Sequence, residues 1–388
     1  MEQTHFELLE NVIAKLFPTG SKLLRNPDDA PPEDRYYVIF GRTDPRWIIP
    51  QNPKHGGSAI NLWRPTGLVS RIMWYFLTIF YQAGLLGAVP GIVPIGISLP
   101  DKSSWEHVGW KRQNPPFVII FIRWPTPERK AIATLVDATT LMPEIIVKIS
   151  MTPVSFYAIL HEARTISALS DKHPGLAPRL LFVDEQKSIV SQEFIVGPIN
   201  KRIFSRSHLE FLKKLRIDGA EIPLTKLTGE LEERLKALTG IGKERINMLE
   251  RLIELTDGGV SVPSMIVHGD FYFRNLVSTG ADKLMAFDWE FSLEHGPPLW
   301  DLFHFHVHKE LKPRKGYNLK DEVKNSPLCV EYMKELGIDD ATYLKLYYHY
   351  IISETITLLS NDITQRGIVY PYREIILMEL DRSFEEIL

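Results

Sequence analysis

The segment HGDFYFRN, residues 268–275, sets a histidine, a glycine and an aspartate side by side and an asparagine five residues after the aspartate. An apolar run, SMIV, precedes it, and a polar turn, STGADK, leads to a second apolar run, LMAFDWEFS. The two runs read as short strands, so Asp270 and Asn275 fall on one loop and Asp288 ends the next strand, a hairpin's width away. Three oxygen-bearing side chains can converge there. Carboxylate and amide oxygens suit a hard octahedral cation such as Mg²⁺, which keeps several waters and takes one or two protein carboxylates plus substrate phosphates. Phosphoryl transfer uses such an arrangement, because charge builds on the transferred oxygens while the protein mainly positions and neutralises.

Outward from this segment the chain changes character twice. Toward the N-terminus, FVIIFIRW, KAIATLV and EIIVKIS are short β-branched and aromatic runs separated by turns, a three-stranded antiparallel meander. Thr152 then offers an N-cap, with Pro153 at the first position of a helix through VSFYAILHEARTISALS. PRLLFVDE and SIVSQEFI supply two more strands, which predicts a five-stranded sheet with one helix inserted after strand three. Beyond Gly197 the apolar residues recur at three- and four-residue intervals, from SHLEFLKKL to REIILMELDRSFEEIL, so that portion reads as helical except around the opening segment.

HGDFYFRN, FDWE and GPPLWDLFHF, taken together, resemble the aminoglycoside phosphotransferase and choline kinase family, a branch of the protein-kinase-like fold. The resemblance implies that Asp270 accepts the proton of an acceptor hydroxyl, that Asn275 and Asp288 hold Mg²⁺, and that His268 and Asp301 support the loop. It also demands a strand lysine paired with a helix glutamate, and Lys148 in IIVKIS and Glu162 in LHEARTISAL stand in that order. Gln192, Glu193, Phe194 and Ile195 then correspond to the hinge on which the adenine of ATP hydrogen-bonds. One feature departs from the pattern: the hairpin that should cover the phosphates, IRWPTPERKAI, contains no glycine. Backbone amides can still approach phosphate there, and Arg129 or Lys130 could supply charge. More loosely, the layout resembles uncharacterised phosphotransferase-like proteins of bacterial surface-polysaccharide gene clusters, which favours a sugar or glycan precursor as the small-molecule acceptor over choline-like alcohols or aminoglycosides.

The fold class expected is α+β: a two-lobed kinase-like fold at 113–196 and 197–388, with a folded N-terminal extension at 1–112 of unassigned role. The chain has 388 residues, with 45 basic against 48 acidic, and no like-charge block marks it as a nucleic-acid binder. Its one cysteine, Cys329, leaves no intrachain disulfide and fits a reducing compartment, so the cytoplasm is the expected location. The N-terminal MEQTHFELLENVIAKLF lacks the basic start and apolar core of a signal peptide and reads as a structural helix. Gln82, Gly84, Pro90 and Pro94 interrupt the most apolar stretch before it could span a bilayer. Residues 71–88 read either as a buried core helix or as a peripheral membrane contact in which Trp74, Tyr75, Phe76, Phe80 and Tyr81 meet the interface, with Arg64 and Arg71 beside the headgroups. His304 and His308, four apart on one helix face, read as packing residues in an aromatic run, and the acids of the C-terminal helix as a solvated face. A pseudokinase that binds nucleotide without transfer is the alternative to an enzyme, favoured by the glycine-free hairpin.

Overall fold

The meander read from the sequence forms as β5 (Phe117–Ile122), β6 (Lys130–Val136) and β7 (Pro143–Ser150) in a computed structural model. The model describes all residues except 1, 42–43, 61–67, 101–104, 201, 281–282, 310–315, 365–371 and 387–388. The chain separates into two compact units, the first of 1–168 with 178–195 and the second of 169–177 with 196–388.

In the first unit β8 (Leu180–Asp184) and β9 (Ile189–Glu193) complete the five expected strands. The sheet does not stop there. The N-terminal segment adds β1 (Lys22–Leu24), β2 (Arg35–Phe40), β3 (Pro45–Pro50) and β4 (Ile92–Ser98), giving nine strands in the order β1-β4-β2-β3-β5-β6-β7-β9-β8. The join is antiparallel, with Trp47 opposite Phe121 and Ile48 opposite Ile120. Strand β6 is buried along its whole length, as a central strand covered on both faces must be.

One face packs against α1 (Gln3–Leu16), whose Phe6, Leu9, Ile13 and Leu16 join Val118, Ile120, Ala133 and Val147 in a common core. The other face is shared. Over β8 and β9 lies α4 (Pro153–Lys172), with Ile159, Leu160 and Ala163 against Val190. Thr152 Oγ1 accepts the Ser155 amide at 3.1 Å, the N-cap expected from the sequence. Over β3 and β5 lie α2 (Pro53–Ile60) and α3 (Leu68–Gln82).

Helix α3 is neither a buried core helix nor wholly at a surface. Trp74 (7% exposed) packs against Trp47 with ring centroids 5.0 Å apart, and Tyr81 is fully buried with its hydroxyl donating to Pro50 O at 2.8 Å. Ile72, Met73, Tyr75, Phe76, Ile79 and Phe80 are instead exposed. Trp74 and Tyr81 therefore leave the group assigned to a membrane interface, and Arg64 lies outside the described residues. No helix among the described residues is long and apolar enough to cross a membrane.

The second unit is mainly helical: α5 (Arg206–Lys213), α6 (Leu224–Lys236), α7 (Lys243–Glu254), α8 (Trp300–Lys309), α9 (Leu319–Lys324), α10 (Pro327–Glu335), α11 (Asp340–Thr364) and α12 (Arg373–Glu385). Two small sheets interrupt the helices. One orders β10 (Arg216–Pro223), β11 (Ser261–Val267) and β14 (Leu293–Gly296), and the other pairs β12 (Leu276–Gly280) with β13 (Lys283–Ala286). Strand β10 carries no readable alternation because most of it is exposed and a register shift breaks its pairing.

The division of α3 into two faces has a measurable consequence. Trp74→Ala is expected to cost about 3–5 kcal/mol of unfolding free energy, the usual range for a large buried aromatic, whereas Phe76→Ser should stay within about 0.5 kcal/mol. Chemical denaturation of both variants checks it.

Candidate active site

Two sets of residues carry the chemistry expected from the sequence, one in each unit. In the first unit Lys148 lies on β7 and Glu162 two turns into α4, on the same side of the sheet. Its Nζ meets both carboxylate oxygens of Glu162 at 2.6 and 2.7 Å, and the two side chains are 3% and 0% exposed. An ion pair this deep is expensive to desolvate and holds only when geometry and hydrogen bonding are good. It leaves the ammonium fixed rather than snorkelling to water. Gln192 and Glu193 end β9, and Phe194 continues the ladder by donating its amide to Glu144 O at 2.8 Å. Ile195 is half-buried, and Gln192 keeps a buried Oε1 without a hydrogen-bond partner.

In the second unit the loop after β11 is built around a buried carboxylate. Asp301, in the first turn of α8, accepts the His268 amide on Oδ2 at 2.7 Å and the Gly269 amide on Oδ1 at 3.0 Å. Burial pushes the Asp301 carboxyl up to about 7, against the downward pull of those two donors. Gly269 sits at φ +81°, and a Cβ there would lie 2.2 Å from Phe291 O, so no other residue fits. His268 is fully buried; its Nε2–H faces Phe287 O at 3.1 Å while Nδ1 accepts the Asp270 amide at 3.2 Å, which assigns the tautomer from its partners.

Asp270 is held by both oxygens. Asn275 Nδ2 donates to Oδ2 at 2.7 Å and to the Asp270 carbonyl at 3.0 Å, and His304 Nε2 lies 3.2 Å from Oδ1. Burial raises the Asp270 carboxyl to about 6, with His308 and His268 pulling it down and Asp288 adding to the rise. Because the Asn275 nitrogen has two acceptors, its Oδ1 faces away from them and makes no hydrogen bond among the described residues. Asp288 follows β13 at φ +67°, ψ +55°, a left-handed conformation that aspartate tolerates better than most residues. The carbonyl of Asn275 accepts the Phe287 amide at 3.0 Å, which ties the two segments together. An uncommitted amide oxygen and a carboxylate on tied segments fit a Mg²⁺ ion that draws its remaining ligands from water and phosphate.

The sequence reading treated His304 and His308 as packing residues. They do stack, with ring centroids 4.2 Å apart, but His304 also contacts Asp270 and offers Nδ1 to the Tyr350 hydroxyl at 3.4 Å. The signal was present: Asp301, His304 and His308 stand at i, i+3 and i+7, one face of α8. Glu354 on α11 is a second omission, buried and raised to about 7. Of the C-terminal acids, Glu374, Asp381, Glu385 and Glu386 are exposed as a solvated face requires; Glu379 alone departs, fully buried and accepting from Tyr347 Oη at 2.8 Å.

These elements define a kinase-like α+β architecture. No family profile matches the chain, and no curated protein matches it. Among solved structures it is similar to a choline kinase from Streptococcus pneumoniae, at 16% identity over 66% of this chain and 89% of that one, with a TM-score of 0.44. A macrolide 2′-phosphotransferase from Brachybacterium faecium is 13% identical over 68% and 92%, TM-score 0.44. A protein from Ralstonia eutropha described as an aminoglycoside phosphotransferase is 14% identical over 73% and 97%, TM-score 0.49.

Burial sets an acid sensitivity in the second unit. His208, His268 and His349 are lowered to about 4, His304 and His306 to about 3, and His308 well below its usual value, all by burial first. Below about pH 6.5 the unfolded chain takes up protons that these folded histidines refuse, so stability falls with pH. Asp270, Asp301, Glu354 and Glu379 oppose this, because their raised folded pKa values bind protons the unfolded chain has released. With His173 also lowered by burial, seven histidines outnumber four carboxyls, so urea midpoints are expected to drop between pH 7 and pH 5, and His349→Gln should reduce that slope.

Proposed function

We propose that the protein is an ATP- and Mg²⁺-dependent phosphotransferase that moves the γ-phosphate to a hydroxyl of a small molecule, a sugar or glycan precursor being the favoured acceptor class. The observation that supports this most directly is the loop 268–275. Its Asn275 holds Asp270 Oδ2 while His304 of α8 meets Oδ1, burial raises the carboxyl to about 6, and Asn275 Oδ1 makes no hydrogen bond among the described residues.

In this reading Lys148, held by Glu162, binds the α- and β-phosphates, and residues 192–195 present backbone groups to the base. Asn275 Oδ1 and the Asp288 carboxylate hold Mg²⁺, which neutralises charge on the phosphate oxygens when bound. Asp270 orients the acceptor hydroxyl and takes its proton as the acceptor oxygen bonds to phosphorus and the bond to the ADP oxygen breaks. A carboxyl near 6 is ionised at neutral pH yet basic enough to accept that proton. His304 and Asn275 keep the carboxylate from rotating, which is positioning, the main contribution a protein makes to this reaction.

The test is ATP turnover with Mg²⁺ in a small-metabolite extract of cells lacking the protein. Asp270→Asn is expected to lower transfer by at least about 10²-fold, in line with general-base loss, while ATP affinity stays within about twofold. Lys148→Ala and Asp288→Ala should instead weaken nucleotide binding. ATP binding without transfer to any acceptor would favour a pseudokinase; absence of both would overturn the proposal.

A peripheral membrane contact is a second, compatible reading, favoured by the outward Ile72, Met73, Tyr75, Phe76, Ile79 and Phe80 on a helix whose only charge is Arg71. Co-sedimentation with liposomes is expected for wild type and lost in Phe76→Asp. Trp74, buried against Trp47, is the wrong probe because its substitution damages the core.

A further inference from the structure

The glycine-free hairpin between β5 and β6 gathers cations. Arg123 and Arg129 belong to the hairpin, and Arg46 reaches it from β3 of the N-terminal segment. The Arg46 guanidinium lies over the rings of Phe121 and Trp124, 4.7 and 4.1 Å from their centroids. Burial first, then repulsion from Arg129 and Arg123, lowers its pKa to about 10 against the attraction of Asp44. Arg129 is 12% exposed, and its Nη2 stands 3.5 Å from Asp44 Oδ1.

Among the described residues, Arg46 Nη1 and Arg129 Nε and Nη2 are buried and find no hydrogen-bond acceptor. A buried donor left unmet is costly, and more so on a charged group. The hairpin is not free to turn these groups toward water, because the Arg129 carbonyl accepts the Met151 amide at 3.2 Å and Thr152 Oγ1 donates to Pro127 O. Such a convergence of guanidinium forks matches phosphate oxygens.

Sheet register places the cluster relative to Lys148. Lys148 pairs with Ile132, Ile132 with Phe121 and Phe121 with Trp47, and directly opposed residues share a face. The guanidinium over Phe121 is therefore on the same side of the sheet as the Lys148 ammonium. Arg129 lies in the turn just before β6, three residues from Ile132 and about 10 Å of extended chain away, a separation that a polyphosphate and an arginine side chain bridge together.

We propose that Arg46, Arg123 and Arg129 form an anion site that grips the terminal phosphates of the nucleotide, replacing the backbone cradle that a glycine-rich hairpin would supply. This rests on the phosphotransferase reading, and it gives the N-terminal segment a function: β3 extends the sheet and delivers Arg46.

Calorimetric titration of wild type, Arg46→Gln, Arg129→Gln and Arg123→Glu with ATP, ADP and AMP in Mg²⁺ tests it. Arg123 is exposed, so its variant should fold even if the others do not, and melting curves identify any that fail. Each substitution is expected to weaken ATP binding on the order of tenfold to a hundredfold, the loss of a charge-assisted hydrogen bond, while AMP affinity stays within about twofold. Unchanged ATP affinity in folded variants, or equal losses for ATP and AMP, would overturn the anion site. If wild type binds no nucleotide, the phosphotransferase reading fails separately. Pyrophosphate then decides the site alone: binding lost in Arg123→Glu supports it, and no binding by wild type refutes it.

Discussion

The Asp301 carboxylate is the contact on which the second unit's chemistry depends. Its two oxygens take the amides of His268 and Gly269, consecutive donors that a turning backbone presents to one point and that no strand or helix satisfies. Only glycine allows that turn, since φ is +81° and Phe291 O occupies the space of a side chain. Once these amides are fixed, the Asp270 backbone is fixed, and Asn275 closes the loop onto it. Removing the carboxylate would orphan two buried donors at the position where small displacements matter most.

Helix α8 extends this control from backbone to side chain. Asp301, His304 and His308 lie on one face, so the helix that clamps the loop also points an imidazole at the Asp270 carboxylate. Packing fixes the helix in turn, with Phe303 and Phe305 fully buried and Trp300 against Tyr350 at 5.1 Å. A rigid helix holds the Asp270 carboxylate more tightly than a mobile loop could, at the cost of burying polar side chains.

Much of this was legible because the relevant spacing is local. Asp270 and Asn275 share a loop, Lys148 and Glu162 stand one strand and one helix apart, and the five strands β5–β9 advertise themselves by apolar runs. The N-terminal segment resisted reading because its strands depend on pairing with β5, and nothing in PRWIIP specifies that its neighbour lies some seventy residues on. Helix α3 resisted it for a different reason: apolar on nearly every side, it carries no period to separate the buried Trp74 from the exposed Phe76. The role of His304 was hidden by its aromatic neighbours, which explain a histidine by packing as readily as by a carboxylate contact. Strand β10 was missed because an exposed strand need not alternate.

The charge of the groups around Asp270 sets how readily its carboxylate takes a proton. A lysine in place of His304 would also donate to the carboxylate, but its full positive charge would pull the pKa well below the ordinary aspartate value. Such an Asp270 would be ionised at every working pH and too weak to take a proton. A neutral imidazole donates a directional hydrogen bond without that penalty, and burial keeps His304 neutral by lowering its pKa to about 3. The same burial raises Asp270 to about 6. Burial thus acts on both groups, excluding charge from the donor while strengthening the acceptor, whereas the cations Lys148, on β7, and Arg129, in the β5–β6 hairpin, belong to the first unit.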